Sequence, residues 1–222
     1  MSSKDDLSSW RALSGATVSD ALDRLGIAGQ AFGIAPLDRS FRAIGRAFTV
    51  KYVPSGARKG TVGDYIDDVP AGAIVVLDNG GRLDATVWGD ILTTMAHRRR
   101  IAGTVINGVC RDVARSLELA YPLFTRGAYM RTGKDRVQAD AFEVPVSLGE
   151  VQVEPGDLLI CDADGVVAVP RAREADVLNH ALQIEHAEDA IRAAIARGER
   201  LDAARRSADY FRLQRREDSD ER

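Results

Sequence analysis

The chain has 222 residues, 45% of them hydrophobic, with 33 acidic and 30 basic side chains and a formal net charge of −3. That length holds one cored domain with an appendage, and the balanced charge excludes the basic excess of a general nucleic-acid binder. No apolar run approaches the roughly 20 residues of a membrane span, and the start MSSKDDLSSW lacks a signal-peptide core. The expectation is a cytoplasmic protein with no nucleic-acid or membrane partner. Cys110 and Cys161, the only cysteines, lie in apolar strand-like contexts and read as buried free thiols.

In chain order, residues 7–13 carry a short helical pattern. Thr17-Val18-Ser19-Asp20 then has the form of a capping box with Thr17 as N-cap, and Gly26 supplies the stop. In that frame Asp20 and Asp23 sit near a helix N-terminus, where acids are favoured. Residues 43–53 alternate and are rich in β-branched and aromatic side chains, so they predict a strand. A weak helical stretch, 62–68, precedes the continuous apolar run 73–77, of the kind buried on both faces. Asp78-Asn79-Gly80-Gly81 reads as the loop that ends it, and it is not a dinucleotide fingerprint.

Residues 88–126 read as helix, strand, helix, strand. Asp90 follows Gly89 at the first helix start, and Arg111-Asp112 follows the strand-like run 104–109 and opens the second helix. Strand ends and helix starts are where α/β folds expose backbone donors and functional side chains. Further on, 121–125 predicts a strand and 131–140 a polar loop. Residues 142–146 and 151–153 predict short strands around a turn at 148–150. Two more strands, 158–161 and 166–169, form a hairpin across an Asp-Gly turn. Residues 171–197 are helical, with Gly198 after the end. No low-complexity linker divides the chain, so residues 1–200 read as a single domain. Residues 201–222 are a charged extension, in which Tyr210, Phe211 and Leu213 are the large apolar side chains after Leu201. That extension either frays or packs on a neighbouring subunit.

His97, His180 and His186 form no metal-binding pair, and no GxSxG elbow accompanies them, so each reads as a surface residue. Asp162-Ala163-Asp164-Gly165 lacks the third acid and distant glutamate of a calcium loop. Arg98-Arg99-Arg100 reads as a solvated helix end. What remains is carboxylates and arginine. Oxygen donors without His or Cys suit a hard cation such as Mg2+ or Mn2+. An arginine beside them suits an anionic, oxygen-rich substrate by bidentate pairing. By spacing alone Asp90 and Asp112 can share a crevice, but from chemistry alone a helix-start acid with a local ion pair is the better account of Arg111-Asp112. Glu185 and Glu188, three apart, read as a solvated face or as partners of Arg192.

Gly89-Asp90, a gap of twenty residues, and Arg111-Asp112 together resemble the D-x20-R-D arrangement of the 4-hydroxy-4-methyl-2-oxoglutarate aldolases, whose superfamily also holds the regulator-of-ribonuclease-activity A-like (RraA-like) proteins. ATVSDALDRLG, VINGVCRD, YPLFTRG, VPVSLGEVQVEPGDLLICDADGVVAVP and the C-terminal helix resemble that family in order, over roughly residues 10 to 200. The resemblance implies a layered α/β/β/α domain, central β-structure flanked by helices, with the C-terminal helix packing on a neighbouring subunit of a homotrimer or homohexamer. It implies Mg2+, Mn2+ or another divalent metal held directly by Asp112 and through water by Asp90. Glu185 of an adjacent subunit, with Glu188 as second choice, would also act through water. Arg111 would hold the keto oxygen of a 2-oxo acid, and the backbone at Gly89, Asp90, Ile91 and Leu92 would receive its carboxylate.

The implied reaction is metal-dependent retro-aldol cleavage of 4-hydroxy-4-methyl-2-oxoglutarate-type substrates to pyruvate. Oxaloacetate decarboxylation shares its pyruvate enolate. A Schiff-base route would need a buried lysine, for which Lys51 in its strand is the fairest candidate. Asn107 departs from the family pattern, standing where many relatives carry an acid. The alternative function is a non-catalytic, protein-binding regulator of ribonuclease activity on the same scaffold.

Overall fold

The computed structural model describes residues 7–57, 60–208 and 210. Phe211 and Leu213, and with them most of the expected extension, lie outside the described residues, as does Lys59. The fold is mixed α/β and resolves into two compact units. One is Gln30–Arg171, and the other joins the chain up to Gly29 with the chain from Ala172 onward. Among the described residues, no helix is long and apolar enough to cross a membrane.

The larger unit is built on strands β1 (Ala35–Pro36), β2 (Ala43–Pro54), β3 (Ile74–Thr86), β4 (Gly103–Val109), β5 (Leu123–Thr125), β6 (Val137–Phe142), β7 (Val146–Leu148), β8 (Val151–Val153), β9 (Leu158–Asp162) and β10 (Gly165–Val169). An eight-stranded sheet runs β1-β5-β4-β3-β2-β9-β10, with β6 pairing β2, and β7-β8 is a separate hairpin. The strands β2, β3, β4 and β5 are mutually parallel. Parallel neighbours need crossovers. The helix α2 (Asp90–Arg98) carries β3 to β4, and α3 (Val113–Glu118) carries β4 to β5.

Both faces of this sheet are covered, as the continuous apolar runs require. Ile74, Val76 and Val105 point into a core that includes Phe124, Leu148 and Leu159. Their strand neighbours Val75, Leu77 and Ile106 point the other way, into a core with Trp88, Ala96 and Tyr121. The alternation follows from the period of two. Each such side chain, fully buried, contributes about 1.5–3 kcal/mol.

Two expectations for this unit fail for identifiable reasons. The strand expected to stop at Leu77 runs through Asp78-Asn79-Gly80-Gly81 to Thr86. The register against β4 slips between Asp78 and Arg82 and again between Arg82 and Thr86. Gly80 and Gly81 sit at φ 62° and 70°, so the glycines serve bulges within a strand, not a terminal loop. Residues 137–140, expected in the polar loop 131–140, belong to β6, which runs antiparallel to β2 and ends at Phe142, where a strand was expected to begin.

The smaller unit contains α1 (Gly15–Arg24), α4 (Glu174–Ala196) and α5 (Leu201–Ser207). Residues 9–12 form a 3-10 turn where a short helix was expected. The N-cap of α1 is Ser14, not Thr17: its hydroxyl accepts from the Thr17 amide at 3.0 Å. Asp20 and Asp23 therefore lie beyond the first turn, which holds no acid, and the helix-dipole account of them does not apply. Gly26 at φ 65° follows the helix end as expected. The Thr17 hydroxyl, released from capping, donates to Glu185 of α4 at 2.9 Å.

Candidate active site

Two joints of the parallel sheet meet here. After β3, Trp88 is buried with its ring stacked on Tyr121, centroids 6.2 Å apart and 8° from parallel. Its indole N–H donates to the Thr93 hydroxyl at 2.9 Å. That hydroxyl and the Thr93 amide both donate to the Gly89 carbonyl, each at 3.0 Å, closing the first turn of α2. After β4, the Arg111 amide donates to the Trp88 carbonyl at 3.0 Å. The two joints are thus fastened by backbone, and their side chains share one place.

Asp112 is the hinge of the arrangement. It sits in the left-handed region, φ 56° and ψ 41°, just before α3 and makes no capping bond. Aspartate tolerates that region better than most residues, and such conformations concentrate at functional sites. Its Oδ2 accepts from the Asp90 amide at 3.2 Å and lies 3.3 Å from Arg111 Nε. Gly89 has extended backbone, but a Cβ there would stand 2.6 Å from that same Oδ2. A side chain at position 89 would push the Asp112 carboxylate from this place, whereas glycine leaves it there.

A cavity of about 360 Å3 opens beside this cluster, lined by Gly89, Asp90, Ile91, Leu92 and Arg111 among others. Its size falls in the small-molecule range. At its edge the Ile91 and Leu92 amides begin a helix with no acceptor among the described residues. The Asp90 amide is already given to Asp112.

Among the described residues, no three His, Cys, Asp or Glu side chains converge as a metal cage. A hard cation with one carboxylate ligand and a shell of water or substrate oxygens does not need one. Asp112 fits that role: its side chain is 40% exposed, and Oδ1 takes no hydrogen bond from a described residue. The neighbouring Cys110 does not compete. Burial pushes its thiol up to about 11, so it stays protonated near neutrality.

The remaining candidates lie elsewhere. Glu185 and Glu188 are on α4 in the smaller unit, where Arg192 pairs with Glu185 at 2.6 Å, Glu188 at 3.1 Å and Asp189 at 2.9 Å. Lys51 is exposed on β2 and does not line the cavity. His97 and His186 are exposed, whereas His180 is half-buried, contrary to the expectation of a surface residue. Residues the spacing did not single out are Trp88 and Thr93, which build the turn, and Thr132 and Lys134, which line the cavity.

Asn107 does not reach Asp112. Only 4% exposed, it donates to Asp78 Oδ1 and to the Ser147 carbonyl, both at 3.0 Å, and accepts from Arg126 Nε at 2.8 Å. Asparagine supplies both donors and acceptor between one acid and one base. Asn107→Asp would turn two donated bonds into contacts between acceptors, one of them with the Asp78 carboxylate. The expected loss is about 1–3 kcal/mol in denaturant unfolding at neutral pH.

A family model described as RraA-like, Aldolase/RraA, matches residues 15–168. The chain belongs to the RraA-like family. It is 33% identical over 192 residues to a protein of Halalkalibacterium halodurans named "Putative 4-hydroxy-4-methyl-2-oxoglutarate aldolase", covering 86% of this chain and 89% of that one. Over 199 residues it is 41% identical to Protein DlpA of Legionella pneumophila, covering 88% of this chain but spanning only 32% of DlpA. Its fold resembles that of Streptomyces coelicolor RraAS2, described as an unusual member of the RNase ES inhibitor RraA protein family. That TM-score is 0.80 at 27% identity, over 87% of this chain and 99% of RraAS2. Among RraA-like proteins, then, this chain has relatives named for lyase activity and others named for ribonuclease inhibition.

Proposed function

We propose that this RraA-like chain is a divalent-cation-dependent carbon–carbon lyase acting on 2-oxo acids. It cleaves 4-hydroxy-4-methyl-2-oxoglutarate-type substrates to pyruvate and decarboxylates oxaloacetate. The observation that carries the reading is the meeting of Asp112 Oδ2 with Arg111 Nε and the Asp90 amide beside a ligand-sized cavity. Asp112 would hold the cation, Mg2+ or Mn2+, with Asp90 and an adjacent subunit's Glu185 or Glu188 acting through water. When bound, the cation supplies Lewis acidity to the 2-oxo and carboxylate oxygens of the substrate.

The chain's own residues do the rest. The Ile91 and Leu92 amides, at a helix N-terminus, receive the substrate carboxylate. Arg111 turns its guanidinium to the 2-oxo oxygen and stabilises charge as it develops there. In cleavage the C3–C4 electron pair passes to C3, the C4 hydroxyl gives up its proton, and C4 becomes a ketone. Loss of CO2 from oxaloacetate leaves the same enolate, which takes a proton at C3 to give pyruvate. Ile91, 78% exposed at the cavity, supports completion of the wall by another subunit, in a homotrimer or homohexamer of the cytoplasm.

The deciding experiment is pyruvate release from both substrates with Mg2+, after chelation, and after Mg2+ is restored. Activity should vanish with chelator and return with the cation. Turnover that persists in chelator sinks the cation-dependent reading. The likeness to RraAS2 favours a second reading, a ribonuclease-binding regulator. It predicts inhibition of a ribonuclease by this chain, unchanged by Arg111→Met, and no pyruvate release.

A further inference from the structure

Arg111 and Lys134 are the cationic side chains among the described residues that line the cavity. Lys134 is exposed, and its ammonium pairs with no carboxylate among the described residues, although Asp64 lines the same space. Its backbone is held firmly. The Thr86 amide donates to the Arg131 carbonyl at 3.0 Å, and Thr86 and Thr132 form a β-bridge. At Gly133 a Cβ would stand 2.2 Å from the Thr86 carbonyl oxygen, so the loop lies flat against the end of β3. The amides of Arg136 and Val137 close on the Gly133 carbonyl at 2.8 and 2.9 Å. Lys134 is thereby fixed to the same strand end that delivers Gly89, Asp90 and the helix-start amides.

We infer that Lys134 receives the second anionic group of the substrate and makes the site selective for 2-oxo acids with a carboxylate on C4. The inference rests on the lyase reading above, in which the Ile91 and Leu92 amides and Arg111 take the C1 carboxylate and the 2-oxo oxygen. The far end of the molecule then lies in a cavity whose other described cation is Lys134. An unpaired ammonium on a rigid loop prefers a carboxylate to an alkyl tail, since a charge-assisted hydrogen bond is gained only with the former.

The test uses two unreactive ligands of matched length, 2-oxoglutarate and 2-oxopentanoate, titrated calorimetrically into the full chain with Mg2+. Neither carries the 4-hydroxyl that retro-aldol cleavage needs. Wild type should bind 2-oxoglutarate more tightly. Lys134→Gln should weaken 2-oxoglutarate by roughly 10- to 100-fold, the worth of a hydrogen bond to a charged group, and change 2-oxopentanoate by less than about 3-fold. Lys134→Arg, which keeps the charge, should retain most of the preference. If Lys134→Gln weakens both ligands equally, or neither, the assignment of Lys134 is wrong while the lyase reading stands. Failure of wild type to bind either ligand overturns both together. Because Lys134 is exposed, the variant is expected to fold, and its unfolding temperature checks that.

Discussion

Asp112→Asn is expected to lower turnover of 2-oxo acids by more than about 100-fold, beyond what loss of an outer-shell metal partner costs, with the fold intact. Asparagine has the same shape and tolerates the left-handed backbone at φ 56°. Its amide oxygen can still accept from the Asp90 amide and Arg111 Nε, as Oδ2 does now. The NH2 group is then turned to where Oδ1 stands, offering protons where a cation needs an oxygen. The unfolding temperature without Mg2+ should match wild type within a few degrees, and the Mg2+ stabilisation expected of wild type should be lost. Asp112→Ala is the poorer probe, because alanine in this conformation costs about 1–2 kcal/mol of its own. Near-wild-type rates in Asp112→Asn would remove Asp112 from the chemistry.

The strand β4 and both joints were readable in the sequence because a continuous apolar run followed by Gly-Asp or Arg-Asp has few other uses in an α/β chain. The hairpin of β9 and β10 was readable from its Asp-Gly turn, with Gly165 paired to Asp162. The pairing of Arg192 with Glu185 and Glu188 followed from helical spacing. The extension of β3 was not readable, since Gly80 and Gly81 signal positive φ equally for a loop and a bulge, and only pairing with β4 decides between them. β6 was hidden by its composition: Val137, Ala139 and Ala141 alternate with Gln138 and Asp140, but alanine is a weak strand former, and the strand exists because β2 offers an edge. Ser14 was missed as a cap because Thr17-x-x-Asp20 offered a nearer match to the same local chemistry.

The site itself divides along the same line. Spacing marked the acids and Arg111, which stand at strand ends. It gave no sign of Trp88 and Thr93, whose indole-to-hydroxyl bond shapes the turn beneath Asp90. Nor did it mark Lys134. That residue reaches the cavity only through the tertiary pairing of Thr86 with the loop after Ala128, itself bridged to Cys110. Asn107 stands just upstream of the Arg-Asp pair in the sequence. Its actual partners, Asp78, Arg126 and Ser147, place its role in holding β3, β4 and the β7-β8 hairpin together.

Arg111→Met should reduce kcat by about 100- to 1,000-fold, the usual loss when a donor to a developing oxyanion is removed, yet leave Mg2+ binding in place. Arg111 contributes little to the fold through its charge. Its ion pair with Asp112 is 40% exposed on both sides, and such pairs are worth at most about 1 kcal/mol. The backbone bond from Arg111 to Trp88 survives any side chain, so the joint stays closed. The variant should therefore unfold like wild type, and Mg2+ should still stabilise it through Asp112. Arg111→Lys is expected to restore only a small part of the rate, because a single ammonium cannot span the Asp112 carboxylate and the 2-oxo oxygen as a planar guanidinium does. Loss of Mg2+ stabilisation in Arg111→Met would mean that arginine acts by orienting Asp112. Retained stabilisation with lost turnover would place its work on the substrate oxygen.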